Sequence, residues 1–394
     1  MATVAFLDEG PRVLSVYEGF FSGGARVHHT AVVRSLDATT GQRHAVLSLT
    51  DRSVRESTVQ NAADDLSHQR LQRAGVPITA LDRLSGQPLR RFHMAAMERA
   101  LSRTDVVLSL KEQPLETLAM VGRVGRPVIT CLHRSDPEHQ GSALDALVTM
   151  VDAGVVTSAI CCAVSTQTAY HRATGIPLAQ LPVIPNGTDL RRFRPLPHVR
   201  HQLRRDFGVV GDAPVVLLSA RFDPMKDVGL FLRAAAEFVR RYPNAHFVLC
   251  GAGMTAVNPA LVAMIDPVIP TSQLHLLGIR ADMQDLYNAA DLVALTSAYG
   301  EAAPLSLLEG MACGAVPVTT DIGDAALMVA DPRLVVPREA DLVALGWEAA
   351  FEQREEHTER IFRHRQRLSD QRCFDSYAAL IRSTVEASRM DLAV

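Results

Sequence analysis

Short apolar segments alternate with longer amphipathic segments along most of this 394-residue chain. This alternation predicts parallel sheets with helices on both faces, because each helix that joins two parallel strands packs back on the sheet. The pattern pauses at residues 185–208, which are rich in proline, glycine and arginine, and restarts at Pro214. The chain is long enough for two domains with separate cores. We therefore predict an α/β protein with two doubly wound domains that face each other across a cleft, the first being residues 1–195.

The predicted strands are short apolar runs that end in polar or glycine-containing loops. In the first half they are Arg12–Tyr17, Arg43–Leu49, Val76–Ala80, Val106–Leu110, Val128–Leu132, Ile160–Val164 and Leu181–Ile184. In the second half they are Pro214–Ser219, Ala245–Cys250, His275–Leu277, Leu292–Leu295, Val316–Thr319 and Leu334–Val336. Pro77 makes Val76–Ala80 an edge strand at best, because proline lacks the N–H that a sheet ladder needs. Predicted helices include Ala25–Leu36, Asp65–Ala74, Arg91–Ser102 and Asp227–Arg240.

The composition argues against several classes of protein. A net charge of −3 argues against a general nucleic-acid binder. No apolar run approaches the length of a membrane span, and the N-terminal residues lack the pattern of an export signal. The six cysteines have no metal-like spacing, so we predict reduced thiols in a cytoplasmic protein. Only two of the 40 basic residues are lysine, Lys111 and Lys226. This bias weakly indicates that an ammonium group, and not a guanidinium group, is needed at those two positions.

Two carboxylates, Glu301 and Glu309, stand eight positions apart around a predicted loop-to-helix transition. Eight helical positions span roughly 12 Å, so the pair is able to hold both ends of an extended ligand. The N-terminus of the helix between them would offer its amides to an anion. Two surface glutamates that flank a buried helix explain the same spacing equally well.

A second cluster follows the predicted strand Pro214–Ser219, where Arg221 and Lys226 stand five positions apart before a helix. Two cations at a helix N-terminus favour an anion both by charge and by the helix dipole. A solvated basic loop is the alternative. No pair of acidic residues has the DxD spacing of a metal-held diphosphate. A bound diphosphate would therefore be neutralised by these two cations.

Glycines follow two of the predicted strands, Gly23 and Gly24 in the first half and Gly251 in the second. Glycine at a helix start allows backbone amides to approach a phosphate closely. A glycine turn between a strand and a helix is also common without any ligand.

A third polar cluster, in the first half, follows the predicted strand Val128–Leu132 and contains His133, Arg134 and Asp136. A histidine there is able to contact a sugar hydroxyl or carry a proton, although a histidine satisfied by loop backbone is the more common case. Lys111 occupies the equivalent end of the preceding strand. We take Lys111, Arg134 and Asp136 as candidates for contact with a second substrate in the same cleft.

These motifs together resemble those of the retaining family 4 glycosyltransferases, within the glycosyl transferases group 1. The resemblance covers about residues 12–340 and is strongest in the second half. It rests on Arg221 with Lys226, Val183–Asp189 with Phe193–Pro195, Glu301 and Glu309 with Met311–Gly314, Cys162–Ser165, and Leu286–Asp291.

The resemblance implies a GT-B fold with two Rossmann-like domains, in which residues 196–371 hold a nucleotide-sugar donor. A C-terminal helix within residues 372–394 would pack back on the first domain. Arg221 and Lys226 would bind the donor diphosphate, Glu309 the ribose and Glu301 the transferred sugar. Backbone amides around three residues would contact sugar or phosphates: Ala303, Leu305 and Ser306. Gly23, Gly24 and Gly251 would lie along the phosphates, and His133 by the donor sugar.

The implied activity is metal-independent hexosyl transfer from a UDP- or GDP-sugar with retention of configuration, in a bacterial cytoplasmic monomer or homodimer without a cofactor. Departures from the family at Arg26, Ser109 and Ala302-Ala303 leave the acceptor and the sugar open. The remaining alternatives are a GT-B epimerase, a phosphorylase and a non-catalytic homologue that binds nucleotide sugars.

Membrane contact would be peripheral, at the inner membrane face. The residues that suggest it are Arg83, Arg90, Arg91, Arg99 and Arg103. A solvated helix face is the simpler interpretation of the same arginines.

Overall fold

The computed structural model describes residues 10–21, 23–55, 58–121 and 124–391. The described residues form two compact units, one up to Pro185 and again from Gln371 onward, the other Asn186–Asp370. The chain thus passes from the first unit to the second at Pro185 and returns at Asp370, whereas the sequence placed these boundaries after 195 and 371. The first boundary lies earlier because Thr188 already pairs within the second unit, where its N–H donates to the Leu368 carbonyl at 2.7 Å.

The first unit is built on a parallel sheet of six strands in the order β5-β2-β1-β6-β7-β8. Its strands are β1 (Arg12–Tyr17), β2 (Arg43–Ser48), β3 (Arg52–Arg55), β4 (Thr58–Asn61), β5 (Ile78–Ala80), β6 (Val106–Leu110), β7 (Val128–Leu132) and β8 (Val156–Cys161). Its first six helices are α1 (Gly24–Thr39), α2 (Leu66–Arg73), α3 (Arg91–Ser102), α4 (Gln113–Ala119), α5 (Ser142–Asp152) and α6 (Val164–Thr174). Strands β3 and β4 lie outside the sheet and pair with each other in antiparallel fashion.

The second unit has its own parallel sheet of six strands, in the order β11-β10-β9-β12-β13-β14. These strands are β9 (Val215–Ser219), β10 (His246–Cys250), β11 (Leu274–Leu276), β12 (Leu292–Leu295), β13 (Val316–Thr320) and β14 (Val335–Val336). The helices are α7 (Pro197–Asp206), α8 (Val228–Arg241), α9 (Pro259–Val262), α10 (Met283–Ala289), α11 (Leu305–Cys313), α12 (Ala325–Val329), α13 (Ala340–Glu352) and α14 (Arg354–Arg363).

The last helix, α15 (Gln371–Asp391), belongs to the first unit and packs against α1. Cys373 Sγ lies 3.5 Å from His28 Nε2 of α1, and Tyr377 and Ile381 are buried in the same core. All six cysteines are buried thiols. Within the described ranges, no helix combines the length and the apolar character needed to span a bilayer.

The predicted fold class is confirmed, since two parallel six-stranded sheets alternate with helices along the chain. Two strand predictions are wrong. The apolar run Ile160–Val164 joins the end of β8 to the start of α6, and Leu181–Ile184 forms only an isolated bridge between Val183 and Cys161. The hairpin of β3 and β4 was not predicted, because its strands are four residues long and rich in polar side chains.

Candidate functional site

Two loops at the carboxyl ends of the neighbouring strands β9 and β12 bring Lys226 against Glu301 in the second unit. The Lys226 ammonium forms an ion pair with Glu301 Oε1, and the Ser297 hydroxyl donates to the same oxygen at 2.5 Å. The two ionic side chains are only 17% and 7% exposed. A pair so well removed from solvent is screened little by salt, so each charge depends on the other.

The backbone around Lys226 is held by hydrogen bonds between these two loops. The Ala298 N–H donates to the Met225 carbonyl at 2.8 Å, and the Thr296 hydroxyl donates to the Lys226 carbonyl at 3.1 Å. The next residue, Asp227, caps α8 by accepting from the Leu230 N–H at 3.0 Å. The position of the ammonium is therefore set by both loops and by the start of a helix.

Arg221, on the same loop after β9, is oriented by Asp223. Arg221 Nε donates to Asp223 Oδ2 at 2.9 Å, and the other oxygen of Asp223 accepts from the Met225 N–H at 2.9 Å. Burial alone would raise the pKa of Asp223, but Arg221 and the Met225 N–H outweigh it and lower that pKa below its ordinary value. The Arg221 side chain stays 30% exposed, so a second cation lies at the strand ends within reach of a ligand.

Helix α11 places Leu305 and Ser306 in its first turn and Glu309 one turn later. N–H groups in the first turn have no acceptor within a helix and are available to an anion. The carbonyl of Ala303, just before this helix, accepts from the Asn186 side-chain amide at 2.9 Å. Glu309 and Ser219, which ends β9, both lie near the Tyr287 hydroxyl, whose pKa is raised well above its ordinary value by burial first and then by the Glu309 charge. Glu309 thus lies beside the strand end that leads to Arg221.

Two glycines allow the backbones of these loops to meet. A Cβ at Gly251 would lie 2.1 Å from the Ala220 carbonyl oxygen, and the Gly251 N–H donates to the Gly278 carbonyl at 2.8 Å. Gly323 has a φ of 63°, and a Cβ there would lie 2.2 Å from the Glu301 carbonyl oxygen. Gly323 therefore supports the segment that carries the buried carboxylate.

Replacing Gly323 with alanine is expected to displace the Glu301 segment, because the added methyl group would clash with the backbone of that segment. The expected result is a loss of stability of about 2 kcal/mol or more. Gly211→Ala is the matched control, since its φ of 60° is similar but no atom lies within 4 Å of the added Cβ. It should cost only the αL strain of about 1 kcal/mol. Equal losses of the free energy of unfolding in the two variants would show that Gly323 has no packing role.

In the first unit, the predicted site residues follow three adjacent strands, β1, β6 and β7. Gly23 caps α1 and Gly24 begins it, with the Gly23 carbonyl accepting from the Val27 N–H at 3.1 Å. Lys111 follows β6 with a φ of 72°, a left-handed conformation that is costly for a residue with a side chain. Its carbonyl is fixed by the hydroxyls of Ser109 at 2.8 Å and Thr130 at 2.9 Å.

His133 follows β7, and its ring centroid lies 6.2 Å from that of His28. The pKa of His133 lies well below its ordinary value, mainly because the ring is buried. The neighbouring His28, His29 and Lys111 lower this pKa further. The imidazole is therefore neutral at pH 7 and offers one donor and one acceptor.

Arg134 and Asp136 bind each other. Arg134 Nε donates to Asp136 Oδ1 at 2.7 Å, and its Nη2 donates to the second carboxylate oxygen. This bidentate geometry commits much of the guanidinium fork to Asp136. Arg26, which the sequence marked as a departure from the family, is buried and donates to the Phe21 carbonyl at 2.5 Å.

The structure thus brings Arg221, Lys226 and Glu301 together at the strand ends of the second unit. The sequence missed Ser297 and Gly323 as parts of this cluster. Ser297 had a signal, since it stands two residues after β12, where polar groups face a site. No sequence signal pointed to Gly323, because the carbonyl that it packs against is 22 residues away in sequence.

The two sheets, each of six parallel strands within a doubly wound unit, define a GT-B fold. Anabaena Alr3699/HepE in complex with UDP and glucose is similar over 95% of this chain and 100% of its own, with a TM-score of 0.79 and 21% identity. Sucrose-phosphate synthase from Thermosynechococcus elongatus is similar over 96% of this chain and 100% of its own, with a TM-score of 0.71 and 16% identity.

Residues 199–367 match the sequence profile described as glycosyl transferases group 1. This stretch contains Arg221, Lys226, Glu301 and Glu309. The D-inositol 3-phosphate glycosyltransferase of Rhodococcus erythropolis is 30% identical over 166 residues, which are 39% of this chain and 36% of that protein. The enzyme of the same name from Kineococcus radiotolerans is 32% identical over 162 residues, covering 39% and 37%. The chain therefore spans little more than a third of the length of these curated relatives.

Proposed function

We propose that this chain is a retaining, metal-independent glycosyltransferase that moves a hexosyl group from a UDP- or GDP-sugar to an acceptor hydroxyl. The observation that carries the proposal is the buried Lys226–Glu301 pair beside Arg221, inside the stretch that matches glycosyl transferases group 1. The Anabaena HepE structures that contain UDP and UDP-glucose favour UDP as the donor nucleotide.

The charges suit the chemistry of a departing nucleoside diphosphate. As the glycosidic bond breaks, positive charge develops on the anomeric carbon and negative charge on the leaving phosphate oxygen. Lys226 and Arg221 would then bind the transition state more strongly than the ground state, which is what raises the rate. The first-turn amides of α11 would hold further phosphate or sugar oxygens.

The carboxylates have a different task from the cations. Glu301 would accept from a hydroxyl of the transferred sugar, and Glu309 would accept from the ribose. For retention, the new bond to the acceptor oxygen forms on the face from which the phosphate leaves, and a leaving phosphate oxygen takes the acceptor proton. The Lys226 ammonium and the Ser297 hydroxyl hold Glu301 Oε1, so we assign Glu301 to sugar binding and not to nucleophilic attack.

The first unit would supply the remaining contacts. We assign Gly23 and Gly24 to the donor phosphates, His133 to the donor sugar, and Lys111, Arg134 and Asp136 to the acceptor side. We also propose a cytoplasmic location and a monomer or homodimer.

A thermal-shift panel of UDP-, GDP-, ADP- and TDP-sugars in the presence of EDTA tests this function. A ligand that binds only the folded state adds about 2.7 kcal/mol of stability at a hundred times its Kd. We expect UDP- or GDP-sugars to raise Tm without a metal, while the others do not. A shift that appears only when a divalent ion is added would refute metal independence. NMR of the anomeric proton in the product tests retention, and an inverted product would exclude the retaining mechanism.

A further inference from the structure

One face of α3 in the first unit carries exposed cations and an exposed aromatic ring. Phe92, Arg99 and Arg103 stand at spacings of seven and four residues, so they lie on one stripe of the helix. Phe92 is 54% exposed. Arg91 is exposed beside it at the helix start. In the described part of the chain, Arg91, Arg99 and Arg103 have no carboxylate partner.

An exposed apolar pair lies on the adjoining hairpin. Val54 of β3 and Val59 of β4 are directly opposite each other in the antiparallel register, and they are 49% and 60% exposed. The Val54 N–H donates to the Ser85 hydroxyl at 2.9 Å, which joins the hairpin to the loop that leads into α3. The same loop is joined to α3 through His93, whose Nε2 lies 3.2 Å from the Asp82 carbonyl.

Two features of the surface limit its charge. Arg83 is not available to a partner, because it donates to the carbonyls of Gln87 at 2.5 Å and Leu49 at 3.2 Å. Glu98 is exposed on α3, and the Asp82 side chain is 84% exposed in the loop that precedes this helix. The net charge of the α3 face stays positive, since Arg90, Arg91, Arg99 and Arg103 outnumber these two acids.

We infer that this surface, formed by α3 and the β3–β4 hairpin, docks on an anionic lipid bilayer. Arginines attract anionic headgroups, each increasing partitioning about fivefold near such a surface. Exposed Phe92, Val54 and Val59 add apolar groups that are able to enter the acyl boundary. A nucleic acid would bind the arginines but would gain nothing from an exposed pair of valines. Arginines together with exposed apolar side chains therefore favour a lipid bilayer. The inference is independent of the proposed sugar transfer.

Vesicle co-sedimentation of the full chain tests this inference. We expect binding to phosphatidylcholine vesicles that contain phosphatidylglycerol, no binding to phosphatidylcholine alone, and release at high salt. The triple variant R91E/R99E/R103E should bind about a hundredfold more weakly. The matched control is R172E/R205E/R363E, which makes the same change of net charge at exposed arginines elsewhere and should bind nearly as the native chain does.

A second measurement separates insertion from simple charge attraction. In the Phe92→Trp variant, the introduced tryptophan should shift its emission to shorter wavelength on anionic vesicles, while the native Trp347 is buried and contributes a constant signal. Equal binding by the triple variant and its control would overturn the inference. Tight binding to duplex DNA or RNA, with no emission shift on vesicles, would identify a nucleic-acid surface instead and would also overturn it. Unchanged thermal unfolding of the exposed variants confirms that they are folded.

Discussion

Lys226→Ala is expected to lower kcat/KM for sugar transfer by a factor on the order of 10²–10³, comparable to removal of one preorganised group that stabilises developing charge. The ammonium lies at the carboxyl end of β9 beside Arg221, where the proposed diphosphate leaves. Its loss would remove a cation that acts mainly in the transition state. Steady-state kinetics with the donor identified by the thermal-shift panel measure the effect.

The same substitution has a second consequence that must be separated from the first. Glu301 is buried, and Lys226→Ala removes its cationic partner while the Ser297 hydroxyl still donates to the carboxylate. Leaving a buried charge unpaired destabilises a protein strongly. Lys226→Ala should therefore also lower Tm, and a loss of activity could then reflect unfolding alone.

The double variant Lys226→Met/Glu301→Gln separates the two effects. Both charges are removed and both volumes are nearly kept, so stability should return toward that of the native chain. Activity should not return, because the Lys226 ammonium is absent and Arg221 alone is left to neutralise the leaving phosphate. If activity recovers together with Tm, Lys226 is a structural partner of Glu301 and our diphosphate assignment is wrong.

Much of the fold could be predicted because central parallel strands are buried on both faces. Val106–Leu110, Val128–Leu132 and Leu292–Leu295 are mainly apolar and buried throughout, and the structure has them with the same bounds. The strand predictions are wrong where an apolar run continues beyond the end of the strand. Val164 is apolar, yet it is 51% exposed at the start of α6, so the run Ile160–Val164 overstated the strand.

The candidate site was less predictable than the fold. The sequence marked Arg221, Lys226 and Glu301 as separate signals, since strand ends meet at one edge of a sheet. It gave no reason for the Lys226 ammonium to pair with Glu301, because that contact joins loops 75 residues apart. In the first unit, Arg134 was taken as a cation open to a ligand, whereas the structure pairs it with Asp136 two residues later. Which of several nearby charges pair with each other depends on side-chain geometry, and the spacing of residues along the sequence does not determine that geometry.

Asp291 belongs to the segment Leu286–Asp291, which resembles the family 4 glycosyltransferases, and its role in the structure is to hold two elements together. Its side chain is 1% exposed and accepts three hydrogen bonds, from Arg200 and Arg204 of α7 and from the Val215 N–H of β9 at 2.8 Å. Arg204 Nη1 lies 2.9 Å from Asp291 Oδ2. This carboxylate therefore holds α7 against the start of the central strands β9 and β12.

Asp291→Ala is expected to destabilise the second unit by about 3–5 kcal/mol, because it leaves buried arginine charge uncompensated. Trp347 is the only tryptophan and is fully buried in the core of this unit, so its fluorescence during urea unfolding reports on that unit. Asp206→Ala is the control, since Asp206 is exposed on the same helix α7 and accepts from the Gln202 amide at 2.8 Å. Its change should stay within about 0.5 kcal/mol. A loss below about 1 kcal/mol for Asp291→Ala would mean that α7 is held by its apolar contacts and not by this ion pair.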